Sequence, residues 1–205
     1  MDAINTKTEK GYAAGRARRE QIVAEATLQF GRVGFNGATI LEIAAACGIS
    51  RAGLLHHFAT KESLLEAVLE ERDRADRASF RRSGSAQSGG VGVLRGMVDL
   101  AARNAELPGI IALYAVLSAE ATDPAHPAHE YFVKRYARIR SGTETALDKA
   151  KVAGDLIDSV DVAAAAIELT ALMDGLQVMW LLDPDGIDMA AQVRRAVQRL
   201  LVFPL

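Results

Sequence analysis

The chain has 205 residues, half of them hydrophobic, with 24 Lys and Arg against 26 Asp and Glu and one cysteine. That excludes a mainly disordered chain, and the length allows one small and one larger helical unit around a real core. Cys47 alone forms no internal disulfide, the first twenty residues carry no apolar signal region, and the longest apolar stretch, Val160 to Leu182, is broken by Asp161, Glu168, Asp174 and Gln177. The expectation is therefore a cytoplasmic chain with no membrane span.

The net charge of −2 is unevenly divided. Residues 1–61 hold eight Lys and Arg against five Asp and Glu, and the rest hold sixteen against twenty-one. A basic excess at one end, with Arg16, Arg18 and Arg19 clustered, suits a nucleic-acid partner, although such a cluster is often only a solvated tail.

Taken in order, residues 1–15 are expected to be a mobile tail. A first helix is predicted from Arg16 to Val33, with Ile22, Ala26 and Phe30 on one face. Thr39 then caps a short helix whose Ile40, Ile43 and Ala44 are spaced i, i+3, i+4. Gly48 can end it with a left-handed backbone, and Ser50 caps the next helix. There Leu54 and Phe58 lie one turn apart and should pack inward, leaving Arg51, Ala52, Leu55 and His56 facing out. Two short helices around a glycine turn are a helix-turn-helix, whose second helix can enter a DNA major groove. Lys61 opens a fourth helix. Its pairs Glu70/Arg74 and Asp73/Arg77 suggest a solvated face.

Ser83 to Gly90 has the composition of a flexible linker. Five further helices are predicted at about 91–105, 109–121, 126–152, 160–182 and 188–202, separated by Pro and Gly breaks. The expected fold is all-α: an N-terminal three-helix helix-turn-helix DNA-binding domain at 1–60, then a larger helical domain at 61–205. The small residues Ala163 to Ala166 and Gly175, with the stripe Met189, Val193, Val197, Leu200 and Leu201, suit half of a four-helix bundle across a two-fold axis. They equally suit the core of a single protomer.

The segment from Arg16 to about Arg74 resembles the DNA-binding domain of the TetR family of transcriptional regulators. The resemblance rests on Phe30-Gly31, Gly34-Phe35, Thr39, Ile43-Ala44, Gly48-Ile49-Ser50, His57-Phe58, Lys61-Glu62 and Leu64-Leu65 at their fixed spacing. Two positions depart from it: Ala52 stands where glycine is usual and Leu55 where a phosphate-contacting tyrosine is usual. The resemblance implies that the larger helical domain at 61–205 is a ligand-binding and dimerisation domain. It implies a homodimer that reads a palindromic operator on double-stranded DNA and a small-molecule ligand, of unknown identity, in the larger domain. It implies a repressor, with a ligand-independent regulator or an activator as alternatives.

Candidate DNA contacts are Thr39, His57 and Lys61 at phosphates, Arg51 and His56 at base edges, and Ser50, Ala52 and Leu55 beside them. Candidate ligand contacts are Met97, Asn104, Tyr114, Tyr131, Gln177 and Trp180, with Tyr136 and Asp174 as further possible lining residues. His126 and His129, near Asp123 and Glu130, have a spacing that suits a metal, but more often mark a helix start. Cys47 is expected to pack as a small apolar residue. No nucleotide-binding or hydrolase motif is present, so neither a cofactor nor an enzyme is expected; a small helical enzyme or metal-binding protein is the remaining alternative.

Overall fold

The computed structural model describes residues 2–82 and 89–205. Among the described residues the helices are α1 (Asp2–Gly37), α2 (Ile40–Ala46), α3 (Arg51–His57), α4 (Lys61–Arg82), α5 (Gly89–Asn104), α6 (Pro108–Glu120), α7 (His129–Val152), α8 (Val162–Leu182) and α9 (Met189–Gln198). The all-α expectation holds, with four differences.

First, the expected tail is helix from Asp2. No proline breaks that stretch, and Lys7, Glu9, Lys10, Ala13 and Ala14 favour a helix enough to carry it through Gly11 and Gly15. Second, residues 83–88 of the expected linker lie outside the described residues, while Gly89 and Gly90 already belong to α5. Gly90 is buried against α7, where a Cβ would run into the backbone of Ala146 and Ala150. Third, α9 stops at Gln198. The chain beyond it pairs with the segment after α7 instead: Ile157 N–H donates to Leu200 O at 2.9 Å, and Val202 N–H to Asp155 O at 3.0 Å. The Gln198 amide donates to Phe203 O and accepts from Leu205 N–H, so these short-range bonds replace the last helical turn. Fourth, α8 is long and apolar enough to cross a membrane by length and composition, because Glu168 and Asp174 are its only charged residues.

Two hydrophobic cores organise the molecule. The first joins Ile22, Ala26 and Phe30 of α1, Ile43 of α2, Leu54 of α3, Leu64, Leu65 and Val68 of α4, Leu113 and Leu117 of α6, and Phe132 of α7. The second joins α5, α7, α8 and α9 through Leu94, Val98, Leu147, Leu169, Trp180, Val193 and Val197. The first three helices therefore share one core with parts of α4, α6 and α7. The stripe Met189, Val193 and Val197 is buried in the second core, so α9 serves its own protomer. α8 differs: Ile167, Val178, Met179 and Leu182 remain exposed, Leu182 by 82%.

Candidate nucleic-acid interface

The helix-turn-helix is built by its caps. Thr39 Oγ1 accepts from Glu42 N–H at 3.2 Å and donates to the Glu42 carboxylate at 2.7 Å, which satisfies an orphan donor at the start of α2. The turn passes through Gly48 at φ 67°, a left-handed conformation that costs glycine nothing. Ser50 Oγ then accepts from Gly53 N–H at 3.0 Å and starts α3. Leu54 and Phe58 are buried as expected, and they pin α3 to the core. Arg51, Ala52 and His56 are exposed on its outer face, while Leu55 and His57 are half-buried. The rings of His56 and His57 stand edge to face, 5.7 Å apart.

The basic residues are distributed differently from the sequence reading. Arg18 donates to Cys47 O at 3.3 Å, at the C-terminal end of α2. Arg19 donates to His57 O at 3.4 Å, at the end of α3, and its guanidinium lies 4.1 Å over the Phe58 ring. The half-buried Lys61 reaches Phe35 O at 2.8 Å and Ala38 O at 3.1 Å, with its ammonium 4.3 Å over the Phe35 ring. Three cations thus sit on carbonyls at helix C-terminal ends, where the helix dipole favours positive charge. They fasten together the head, which is the unit made by α1, α2 and α3. The run Arg18-Arg19 signalled charge, but nothing in the sequence told a phosphate contact from a helix-end contact.

Cys47 is buried, and burial, helped by Glu25 and opposed by Arg18, pushes its thiol up from the ordinary range. It packs, as expected. The histidine spacing that could also have suited a metal is used otherwise: His126 Nδ1 accepts from Ala128 N–H, the His129 ring bonds Ala121 O, Asp123 accepts from Ala125 N–H, and Glu130 pairs with Lys134. Among the described residues, no group of metal-ligating side chains is assembled.

A second polar centre lies where α4, α6, α7 and α8 meet. Tyr114 and Tyr131 share a 2.7 Å hydrogen bond, and Tyr131 donates to Asp73 at 2.8 Å. Arg135 lies 3.6 Å from Asp73 and 4.4 Å over the Tyr114 ring; Arg138 also reaches Asp73, at 3.4 Å. Tyr136 lies beside Asp174 and Ser118, and the Ser118 hydroxyl donates to Ala115 O at 3.3 Å. Burial, with the Tyr114 hydroxyl next in weight, raises the Tyr131 hydroxyl far above its usual range. Burial first and Asp174 second push Tyr136 up to about 12. Burial also raises the Asp174 carboxyl, against the Tyr136 hydrogen bond and Arg135.

Asp73 is thus not on a solvated face, as its spacing suggested: its side chain is only 13% exposed and it gathers partners from α7. Arg74 pairs with Glu71 rather than Glu70. Of the sequence candidates for a ligand, this centre unites Tyr114, Tyr131, Tyr136 and Asp174. Met97 and Trp180 pack with the second core, Asn104 is buried at the end of α5, and Gln177 is half-buried on α8. Arg72, Asp73, Ser118 and Arg135 completed the centre without any sequence signal, because their partners are 40 to 65 positions away or on other helices.

The architecture and the capped helix-turn-helix define a helix-turn-helix DNA-binding transcriptional regulator. Residues 22–68 match the profile of the bacterial regulatory proteins of the tetR family, and residues 94–202 match the C-terminal domain of BetI-type transcriptional repressors. The chain belongs to the TetR family of transcriptional regulators, and such a protein is not an enzyme. It is 27% identical over 190 residues to the HTH-type transcriptional regulator TtgR of Pseudomonas putida, covering 87% of each chain. Its fold is shared by a TetR-family regulator of Agrobacterium tumefaciens (TM-score 0.78, 18% identity, 92% of this chain and 100% of that one). It is also shared by a transcriptional regulator of Saccharomonospora viridis solved with choline (TM-score 0.68, 22% identity, 88% and 93%).

Proposed function

We propose that the chain is a homodimeric repressor that reads a palindromic operator with α3 and releases it when a small molecule binds in the larger domain. The observation that carries this reading is α3 itself: Leu54 and Phe58 are buried, and Arg51, Ala52 and His56 face outward on one capped helix. In this reading residues 1–60 do the DNA work and residues 61–205 sense the ligand and dimerise. A regulator of bacterial genes acts in the cytoplasm, where the chromosome is.

Arg51 is placed to grip a guanine edge in bidentate fashion, and His56 to reach a neighbouring base. Ser50, Ala52, Leu55 and His57 border the groove. Leu55 offers no hydrogen bond, so its part is apolar contact. Thr39 must surrender its bond to Glu42 before its hydroxyl can donate to a phosphate. Lys61 keeps one of its three N–H donors for the backbone of DNA.

The dimer is supported by α8. Ile167, Ala171, Gly175, Val178 and Leu182 follow one another at three- and four-residue steps, and all are exposed. A helix this apolar, covered only in part by its own protomer, needs a second cover. Gly175 leaves open space at the middle of the stripe, which lets a second α8 approach closely. The ligand reading is supported by the tyrosine centre, which joins α4, the helix that leads out of the head, to α6, α7 and α8. A ligand that separates Tyr131 and Arg135 from Asp73 can act only if it prefers the arrangement whose heads no longer match the two half-sites. The neighbour of the same fold that holds choline supports a body that takes small molecules.

In vitro selection of duplex DNA by the purified protein tests this reading. The expected result is a two-fold symmetric site with half-sites one helical turn apart or a multiple of it. Selection of no shared sequence would overturn it.

A further inference from the structure

Glu120 is the last residue of α6, and its carboxylate reaches the head. Oε2 accepts the Phe35 backbone N–H at 2.7 Å. Phe35 follows the break in α1 at Gly34, where the backbone has φ 74° and ψ 176°. Such a break interrupts the helical ladder, and the first N–H groups after it have no acceptor behind them in the helix. Glu120 supplies one from another helix, with its negative charge at the start of the resumed turn. Gly34 is required twice: its φ favours glycine, and a Cβ there would land on the Glu120 carboxylate.

The same oxygen lies 3.5 Å from His126 Nε2. The His126 side chain is 3% exposed, and its Nδ1 accepts from Ala128 N–H, which assigns the ring proton to Nε2, facing Glu120. The His126 ring meets the Phe35 ring edge to face at 5.3 Å. From the other side, Lys61 holds Phe35 O at 2.8 Å. Phe35 is therefore held at its N–H by the α6–α7 corner and at its carbonyl by the first residue of α4. Four residues later comes Thr39, the cap of the first helix of the motif.

We propose that Glu120 is a positioning residue for DNA binding: it caps the broken end of α1 from the body, and so sets the angle at which each helix-turn-helix is presented and the half-site spacing the dimer accepts. This role rests on the operator reading above. It goes beyond that reading by naming the contact through which the body holds the head.

The test compares Glu120→Leu, which keeps bulk and removes the acceptor, with Glu120→Gln, which keeps an oxygen for Phe35 N–H. Amide exchange is followed across residues 34–39, and binding is measured to a series of selected duplexes whose half-site spacing differs by one or two base pairs. For Glu120→Leu the expected results are Phe35 exchange faster by about tenfold and a flattened spacing preference with unchanged half-site sequence preference. Glu120→Gln should keep the wild-type spacing preference, with Phe35 exchange between that of the wild type and that of Glu120→Leu. If Glu120→Leu does not fold, Glu120→Asp, one methylene short, should show the same two changes. Unchanged exchange at Phe35 overturns the cap, and faster exchange with an unchanged spacing profile overturns the positioning role. A wild-type protein with no spacing preference at all overturns the operator reading, and the exchange measurement shows separately whether the cap exists.

Discussion

The two cores of this protein differ in where charged side chains bridge helices far apart in the chain. The first, which joins α1–α4 to α6 and α7, is edged with directed polar contacts: Lys61 on two carbonyls, Glu120 on Phe35 N–H, and Asp73 beneath Tyr131 and Arg135. The second, around α5, α7, α8 and α9, is filled by Leu, Val, Met and Trp side chains and leaves an apolar stripe of α8 uncovered. Apolar packing is strong and undirected, so it suits elements that must only stay together. A hydrogen bond to a charged group fixes an angle, and a misplaced buried polar group is costly. In the proposed dimer the orientation of the head decides whether two recognition helices fit DNA, and the head is held in the directed way.

The comparison can be broken by cutting each core. Phe30→Ala in the first and Trp180→Ala in the second should each cost about 3–5 kcal/mol in chemical denaturation. Amide exchange should rise in α2 and α3 for Phe30→Ala and stay near wild type there for Trp180→Ala. Equal loosening of α2 and α3 by both would erase the distinction. Val178→Asp, on the uncovered stripe of α8, should cost the dimer about 2–5 kcal/mol, as an unpaired charge in an apolar interface does. Sedimentation should then show monomers with an intact helical signal, and a dimer unchanged at micromolar concentration would remove α8 from the interface.

Lys61→Met sharpens the role of directed contacts. Losing two bonds from a charged donor should lower head stability by about 1.5–3 kcal/mol. If its third N–H reaches a phosphate, the salt slope of DNA binding should also fall by about one. A lower slope with unchanged stability would show that the ammonium serves DNA alone. Arg51→Ala, on the exposed face of α3, should leave the melting temperature unchanged while weakening operator binding by about 1–3 kcal/mol and relaxing preference at one position per half-site.

The smallest expected effect is at Asp174. Burial raises its carboxyl in the folded state above the unfolded value, so the folded protein binds the proton more readily. The stability this gives is present below the unfolded value and is lost as pH rises through the folded one. Asp174→Asn should therefore raise the melting temperature at pH 7, and melting curves should converge with the wild type as pH falls to 4. An equal gap at both pH values would assign the effect to packing rather than charge.

What the sequence disclosed follows from the range of the interactions. The caps Thr39 and Ser50, the turn at Gly48 and the buried pair Leu54 and Phe58 act within a few residues of themselves, and all were readable from spacing. So were the limits of most helices, because Pro and Gly mark them locally. The polar centre was readable only in part. Tyr114 and Tyr131 stood out as aromatic residues with a polar end, but Asp73 carries the same i, i+4 pattern as any exposed carboxylate, and only the approach of α7 buries it. Likewise Arg18, Arg19 and Lys61 announce a charge and not its target. Glu120 and Phe35 are 85 positions apart, and no local pattern links them.

The most direct test of the account is methylation interference on the selected operator, with wild-type protein and Arg51→Ala side by side. Major-groove readout by α3 predicts interference at guanine N7 in two symmetric patches, roughly 34–36 Å apart or a multiple of that distance. One guanine in each patch should lose its effect in Arg51→Ala. A single asymmetric patch, or a pattern that Arg51→Ala leaves unchanged, would contradict the account.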